Sequence, residues 1–247
     1  MRNIRLVISY DGSDFHGWQT QPGKRTVQQT LEEALLPLTG GQRVRVNASG
    51  RTDAGVHAIG QVVNFLTTAK HEPAVFVRAL NVNLPDDVSV RAADEVAVDF
   101  CANRWALSKI YRYLIYDGDT PDPFLRKYAY RCPFRLDHQR MQQAARALLG
   151  THDFHSFETD WPNRASSVRT MMRISVNRVG DYLWIDAEAD GFLYNMMRAI
   201  AGTLIQVGRG YWPVERVAEI LQVKDRREAG PTAPPQGLYL LRVKYAS

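Results

Sequence analysis

The stretch that decides the reading runs from Gln42 to Leu66, QRVRVNASGRTDAGVHAIGQVVNFL. Gln42 to Ala48 alternates polar and apolar side chains, the period of a half-buried strand. Gln61 to Leu66 reads as a second strand. Between them Ser49 to Val56 is rich in glycine and polar residues, so the chain bends there. One acid, Asp53, stands in that bend between Gly50 and Gly55. Glycines so placed permit tight turns and close approach by a ligand. On these residues alone two roles are open to Asp53. It is a turn residue whose side chain caps its own backbone, or a working carboxylate held ionised by Arg51, two residues earlier.

Working outward, Ile4 to Tyr10 reads as a strand ending at the turn Asp11-Gly12. Thr26 to Leu36 reads as an amphipathic helix with Val27, Leu31, Ala34 and Leu35 on one side. Thr26 is its expected N-cap, and Pro37 with Gly40-Gly41 its stop. Pro73 to Leu80 reads as a short helix and Val88 to Ala92 as a strand. A similar order then returns. Lys109 to Tyr116 is a strand, Leu136 to Leu149 a helix closed by Gly150, and Thr170–Arg178 with Tyr182–Ala189 a hairpin around Gly180-Asp181. Leu193 to Val207 is a helix with the stripe Leu193, Met196, Met197, Ile200, Leu204 and Val207, and Gly208 its expected C-cap. Val214–Leu221 is a second short helix and Leu238–Val243 a last strand. Asp225 to Gln236, charged and then proline-rich, reads as a surface loop. The element order predicts two related α+β subdomains, residues 1–100 and 101–247, joined near residues 95–105.

The 247 residues suffice for a sizeable core, and 45% hydrophobic with 23% charged content fits an ordinary globular protein. No apolar run is long enough for a membrane helix, and the N-terminus runs straight into a strand without a signal-peptide pattern, so a cytoplasmic location is expected. Cys101 and Cys132 are far apart and outside any metal-ligand pattern, which argues against a disulfide framework or a zinc ribbon. A net charge of +5, with arginines spread along the chain, suits a polyanionic partner.

Ser49-Gly50-Arg51-Thr52-Asp53-Ala54-Gly55-Val56-His57-Ala58 resembles the central motif of the tRNA pseudouridine synthases of the TruA family. Other segments resemble that family in the same order. They are Tyr10-Asp11-Gly12 with Phe15-His16-Gly17-Trp18-Gln19-Thr20-Gln21, the Leu84-Pro85 segment, Ser108-Lys109-Ile110-Tyr111-Arg112-Tyr113, Gly191 to Arg198, and Ala233 to Leu240. The resemblance thus covers Tyr10 to Leu240. It implies ferredoxin-like α+β repeats around a central antiparallel sheet, with the active-site cleft expected between the two subdomains. It implies that Asp53 is the catalytic carboxylate and that Tyr111 contacts the target base. Arg198 would pair with the acid, Arg51 would help orient it and hold RNA, and Leu238 would line the pocket. The family's His-Ala-Arg after a Phe is altered here, where Phe100 is followed by Cys101-Ala102-Asn103 and then Arg104.

The implied reaction converts uridine to pseudouridine in tRNA, at positions 38 to 40 of the anticodon arm, by a homodimer. It needs neither redox chemistry nor a group donor, so no cofactor and no metal are expected. The lack of a phosphate- or dinucleotide-binding glycine fingerprint agrees with that. Thr151-His152-Asp153-Phe154-His155 offers two histidines and an acid but lacks the helical zinc spacing, and reads as polar structural residues. Two rival readings are a non-catalytic RNA-binding protein on the same scaffold and a two-carboxylate glycosidic hydrolase. The first would favour an altered Asp53 or Tyr111, and both are present. The second needs a second acid of comparable quality, and no other segment supplies one.

Overall fold

A computed structural model describes residues 1–159 and 166–246. The chain forms two compact units, Met1–Leu107 with Leu240–Ser247, and Ser108–Tyr239. The first holds β1 (Arg2–Tyr10), α1 (Val27–Leu35), β2 (Asn47–Ala48), β3 (His57–Thr67), α2 (Pro73–Asn83) and β4 (Val88–Val96). The second holds β5 (Ser108–Tyr116), β6 (Tyr130–Arg131), α3 (His138–Ala145), β7 (Gly150–Asp153), β8 (Val168–Val179), β9 (Tyr182–Ala189), α4 (Met196–Gly208) and α5 (Arg216–Val223). The last strand, β10 (Leu238–Lys244), begins in the second unit and ends in the first. Each unit therefore carries the α+β order that the sequence predicts.

In the first unit β1 lies between β4 and β3, antiparallel to both, and β2 pairs antiparallel with β3. Ile4, Leu6 and Ile8 point from one face of β1 and are fully buried. The period-2 alternation of the strand puts them there. Phe65 of β3 meets Phe76 of α2 edge-on at 5.6 Å. The apolar side of α1 is Val27, Leu31, Ala34 and Leu35, the stripe expected from the sequence. In the second unit β9 lies between β5 and β8, antiparallel to both, and β7 pairs antiparallel with β8. The short β6 runs parallel to β5, so the strands are not antiparallel throughout.

Three local expectations are corrected, and Thr26 is the N-cap of α1 as expected. Gln42–Val46 is not in a ladder. Glu32 of α1 accepts the Val46 N–H at 3.0 Å, so this segment is tied to the helix and only Asn47–Ala48 pairs as a strand. The alternation recorded which side chains face inward, not pairing. Thr26 stands at the N-cap of α1, yet its side chain makes no cap bond, and its Oγ1 is buried without a hydrogen-bond partner among the described residues. Gly208 does not end α4 in a left-handed turn; a Cβ there would lie 2.6 Å from Met141 Sδ, so this glycine lets α4 approach α3 closely. Residues 225–236 are not a loose surface loop. Ala229, Gly230 and Ala233 are buried, and the Gly230 N–H donates to Thr203 Oγ1 of α4 at 2.9 Å. A Cβ on Gly202 would lie 1.8 Å from Pro231 O. Glycines on both sides of this contact permit it, and α4 is consequently buried almost all round rather than on one stripe.

A buried polar network fixes the end of the first unit. Asn3 Nδ2 donates to the carbonyls of Ala97, Val98 and Phe100. Asn64 Nδ2 donates to Asn3 Oδ1, and Asn64 Oδ1 accepts the Ala102 N–H. These bonds hold residues 97–102 against β1 and β3. Asn64→Ala strands several buried partners and should cost roughly 1–3 kcal/mol. Urea unfolding should show a lower midpoint with an unchanged slope.

Candidate active site

Asp53 sits half-buried at the bend between β2 and β3. Contacts within its own unit brace the bend. The Val56 N–H donates to Asp53 O at 3.1 Å, closing a tight turn, and Gly55 adopts φ +78, a left-handed conformation suited to glycine. The Trp18 N–H donates to Thr52 O at 3.0 Å and the Gly55 N–H to Phe15 O at 3.3 Å. Gly17 (φ +83) packs directly on this backbone; a Cβ there would stand 2.8 Å from Thr52 O and 3.2 Å from Asp53 C. The family-like opening segment around Phe15–Trp18 thus forms the wall behind the acid.

Side chains finish the brace. Tyr10 and Thr52 share a buried hydroxyl–hydroxyl bond of 2.7 Å. Burial pushes the Tyr10 phenol up to about 12, partly offset by hydrogen bonds from Thr52 and Gln61, so it stays protonated at neutral pH. Ser49 Oγ donates to Gln61 Oε1 at 2.6 Å, and Gln61 Nε2 donates to Gly50 O at 2.8 Å. Asn103 Nδ2 donates to Ser49 O at 2.7 Å. The segment where this chain departs from the family pattern therefore supports the loop of the acid. Buried His57 accepts the Gly12 N–H on Nδ1 at 3.0 Å. Asp11 Oδ1 lies 3.1 Å from the same Nδ1. Arg51 is exposed and makes no ion pair among the described residues.

Tyr111, Arg198 and Leu238 belong to the second unit. Tyr111 is buried on β5, and its ring meets Phe192 edge-on at 4.8 Å. Asn195 precedes α4 in a left-handed conformation (φ 61), turning the chain sharply so that Arg198 lies in the first helical turn. Arg198 Nε donates to Ala233 O at 2.7 Å and Nη1 to Asn195 Oδ1 at 2.8 Å. The guanidinium is half-buried and oriented, not the solvated arginine that a helical wheel suggests. Leu238 is buried at the start of β10, just past Gly237, whose absent side chain would collide with Leu114 O at 2.7 Å. Tyr113 OH donates to Pro234 O at 2.8 Å. The 230–238 segment is thus bonded to both α4 and β5.

One residue stands out here that no motif marked for chemistry. Lys109 is two residues before Tyr111 on β5, hence on the same face. Burial, reinforced by the charge of Arg169, pushes its ammonium down to about 8. A strongly perturbed pKa beside a candidate site is the signal that would have found it, and only through-space neighbours create that signal. The histidines of 151–155 are otherwise engaged. His152 Nε2 contacts Leu149 O, His155 Nδ1 contacts Glu158 Oε1, and Asp153 pairs with Lys224. Among the described residues no group of three His, Cys, Asp or Glu side chains is arranged to hold a metal ion.

Residues 6–103 and 144–246 match the model of a protein family described as tRNA pseudouridine synthase, and the chain belongs to that family. It is 44% identical over 245 residues to tRNA pseudouridine synthase A of Acetivibrio thermocellus, covering 99% of this chain and 100% of the relative. The protein of the same name from Geobacillus kaustophilus is 46% identical over 244 residues, covering 99% of this chain and 95% of the relative. That of Pseudoalteromonas atlantica is 46% identical over 242 residues, covering 98% and 92%. A solved Cbf5-Nop10-Gar1 complex aligns with a TM-score of 0.35 and 12% identity over 96% of this chain and 57% of that one.

Gly17→Ala forces a side chain into a left-handed backbone and against the Thr52 carbonyl. It should cost roughly 1–3 kcal/mol and loosen the turn of Asp53. Urea unfolding would read the first effect and faster amide exchange at Trp18 and Val56 the second. Lys109 gives a pH-dependent outcome. Its folded value near 8 lies below the ordinary 10.5, so between those values the unfolded state holds more protons. The cost of burying the charge is therefore full below about pH 8 and relieved as pH rises towards 10.5. Lys109→Met should raise the urea midpoint more at pH 7 than at pH 10.

Proposed function

We propose that this chain isomerises uridine to pseudouridine in tRNA, at positions 38 to 40 of the anticodon arm, with Asp53 as the catalytic carboxylate. The observation that carries the reading is the bend of Asp53. It is the one acid of a glycine-flanked loop whose backbone is held by Gly17, Trp18 and Asn103 and whose Thr52 side chain is held by Tyr10, in a chain of the tRNA pseudouridine synthase family. A turn acid needs no such scaffold. A reactive carboxylate gains from it, because a prepositioned group loses little freedom on reaching the transition state.

The reaction breaks the bond between uracil N1 and ribose C1′, turns the base, and joins C5 to C1′. The hydrogen of C5 is lost as a proton and N1 gains one, so substrate and product are isomers. Asp53 supplies the charge, as nucleophile or as base. The target nucleotide has to leave its stack to be reached. The Tyr111 ring, fixed by Phe192, offers a face to the extruded uracil. The oriented guanidinium of Arg198 serves the carboxylate, Leu238 packs against the base, and exposed Arg51 holds RNA phosphate. The working form is a homodimer in the cytoplasm. The formal charge of +5 supports a polyanionic substrate.

Asp53→Asn keeps the size of the side chain and suits a turn equally well. It should lower pseudouridine formation on unmodified tRNA below detection while leaving the circular dichroism spectrum and tRNA retention on filters near wild type. Phosphate contacts, not one acid, supply most of the affinity. Wild-type product yield from this variant, with reversion to Asp excluded by mass spectrometry, would overturn the assignment.

A further inference from the structure

Lys109 and Arg169 are two neighbouring cations of the second unit with no anion assigned to them. Lys109 lies on β5 and pairs in register with Ala189 of β9, which pairs in turn with Met171 of β8. Arg169 precedes Met171 by two residues on the same strand. Among the described residues the Lys109 ammonium makes no hydrogen bond and no ion pair, and the charged group acting on it is Arg169. The carboxylates nearby in sequence on β9 and just after it have other partners. Asp186 binds Arg112, Glu188 accepts from Ser108 Oγ, and Asp190 accepts the Thr170 N–H. A partly buried lysine next to an arginine costs folding free energy, and no structural return is visible.

The arginine is aimed. Its Nη1 donates to Val168 O at 2.6 Å and to Ser166 O at 3.1 Å, which leaves the opposite edge of the guanidinium without a partner among the described residues. Gly191 makes room for it, since a Cβ there would stand 3.1 Å from Arg169 Nε. The next residue, Phe192, packs on Tyr111, and Tyr111 shares its strand face with Lys109. The two cations therefore border the aromatic pair. A free guanidinium edge and an ammonium point charge together match a phosphate group, whose negative charge relieves the repulsion between them.

We propose that Lys109 and Arg169 form a phosphate-binding pair that holds the RNA backbone beside the base contacted by Tyr111, a role that rests on the reading of Tyr111 given above. With RNA bound, the anion favours the charged ammonium, so Lys109 takes up a proton as the complex forms near pH 8.

The test uses the full chain and an unmodified anticodon stem-loop transcript. Binding is measured over a salt series for wild type, Lys109→Met, Arg169→Gln and Lys109→Arg. Each charge-removing variant should bind roughly tenfold more weakly at 0.1 M salt, with a slope of log affinity against log salt shallower by about 0.7–0.9. Lys109→Arg should keep the wild-type slope. Lys109→Met should bind less while its urea midpoint is no lower than wild type, which separates lost phosphate contact from lost structure. In the wild-type chain, NMR titration of the Lys109 ammonium should show its midpoint rising when the stem-loop is added. Unchanged slopes in both charge-removing variants, or a Lys109 midpoint unmoved by RNA, overturn the proposal. Wild type that makes no pseudouridine, with the slopes still flattened by both variants, would instead sink the proposed reaction and leave the phosphate pair standing.

Discussion

The contact on which the loop of Asp53 depends is backbone on backbone, Gly17 against Thr52 and Asp53. Two stretches of chain can lie this close only where one lacks a side chain. The glycine also accepts the positive φ that carries the chain away again. Gly12 repeats the device one turn earlier; a Cβ there would stand 2.0 Å from Val56 O. Between these two contacts the loop of Asp53 has little freedom, and the polar bonds of Tyr10, Gln61 and Asn103 remove more. The rigidity of this loop is thus a product of residues distributed from the first strand to position 103.

The second unit solves a similar problem with a different element. Helix α4 is pressed against the 229–233 segment through Gly202 and Gly230, and against α3 through Gly208. The helix interior tolerates Gly202, a poor helix former, because tertiary contact outweighs a propensity cost of about 1 kcal/mol. The result is a helix whose first turn is held in place at Asn195 and Ala233, with Arg198 between them. An arginine bonded at two sites loses less freedom on meeting a ligand than a solvated one.

Charge is distributed to match. Several arginines of the second unit's hydrogen-bond network have carboxylate partners, such as Arg178 on buried Asp117 and Arg112 on Asp186. The Lys109–Arg169 neighbourhood differs from these pairs, because there a cation lies beside a cation. Its electrostatic imbalance lies next to Tyr111 rather than in a structural network.

Periodicity by itself determined the order of elements, the buried stripe of α1 and the hairpin at Gly180, since these depend on neighbours within a few residues. Asp53, Arg51, Tyr111, Arg198 and Leu238 were singled out because their segments resemble a family. What those side chains touch was not legible. The Tyr10–Thr52 bond joins residues 42 apart in sequence, and the Tyr113–Pro234 bond joins residues 121 apart. Only the tertiary structure decided that Gly208 is a packing site and not a cap, that residues 225–236 are stitched to α4, and that Lys109 is desolvated beside an arginine. The physical reason is common to all three. Close approach, desolvation and long-range hydrogen bonds are properties of pairs of segments, and the pattern of one segment carries no record of its partner.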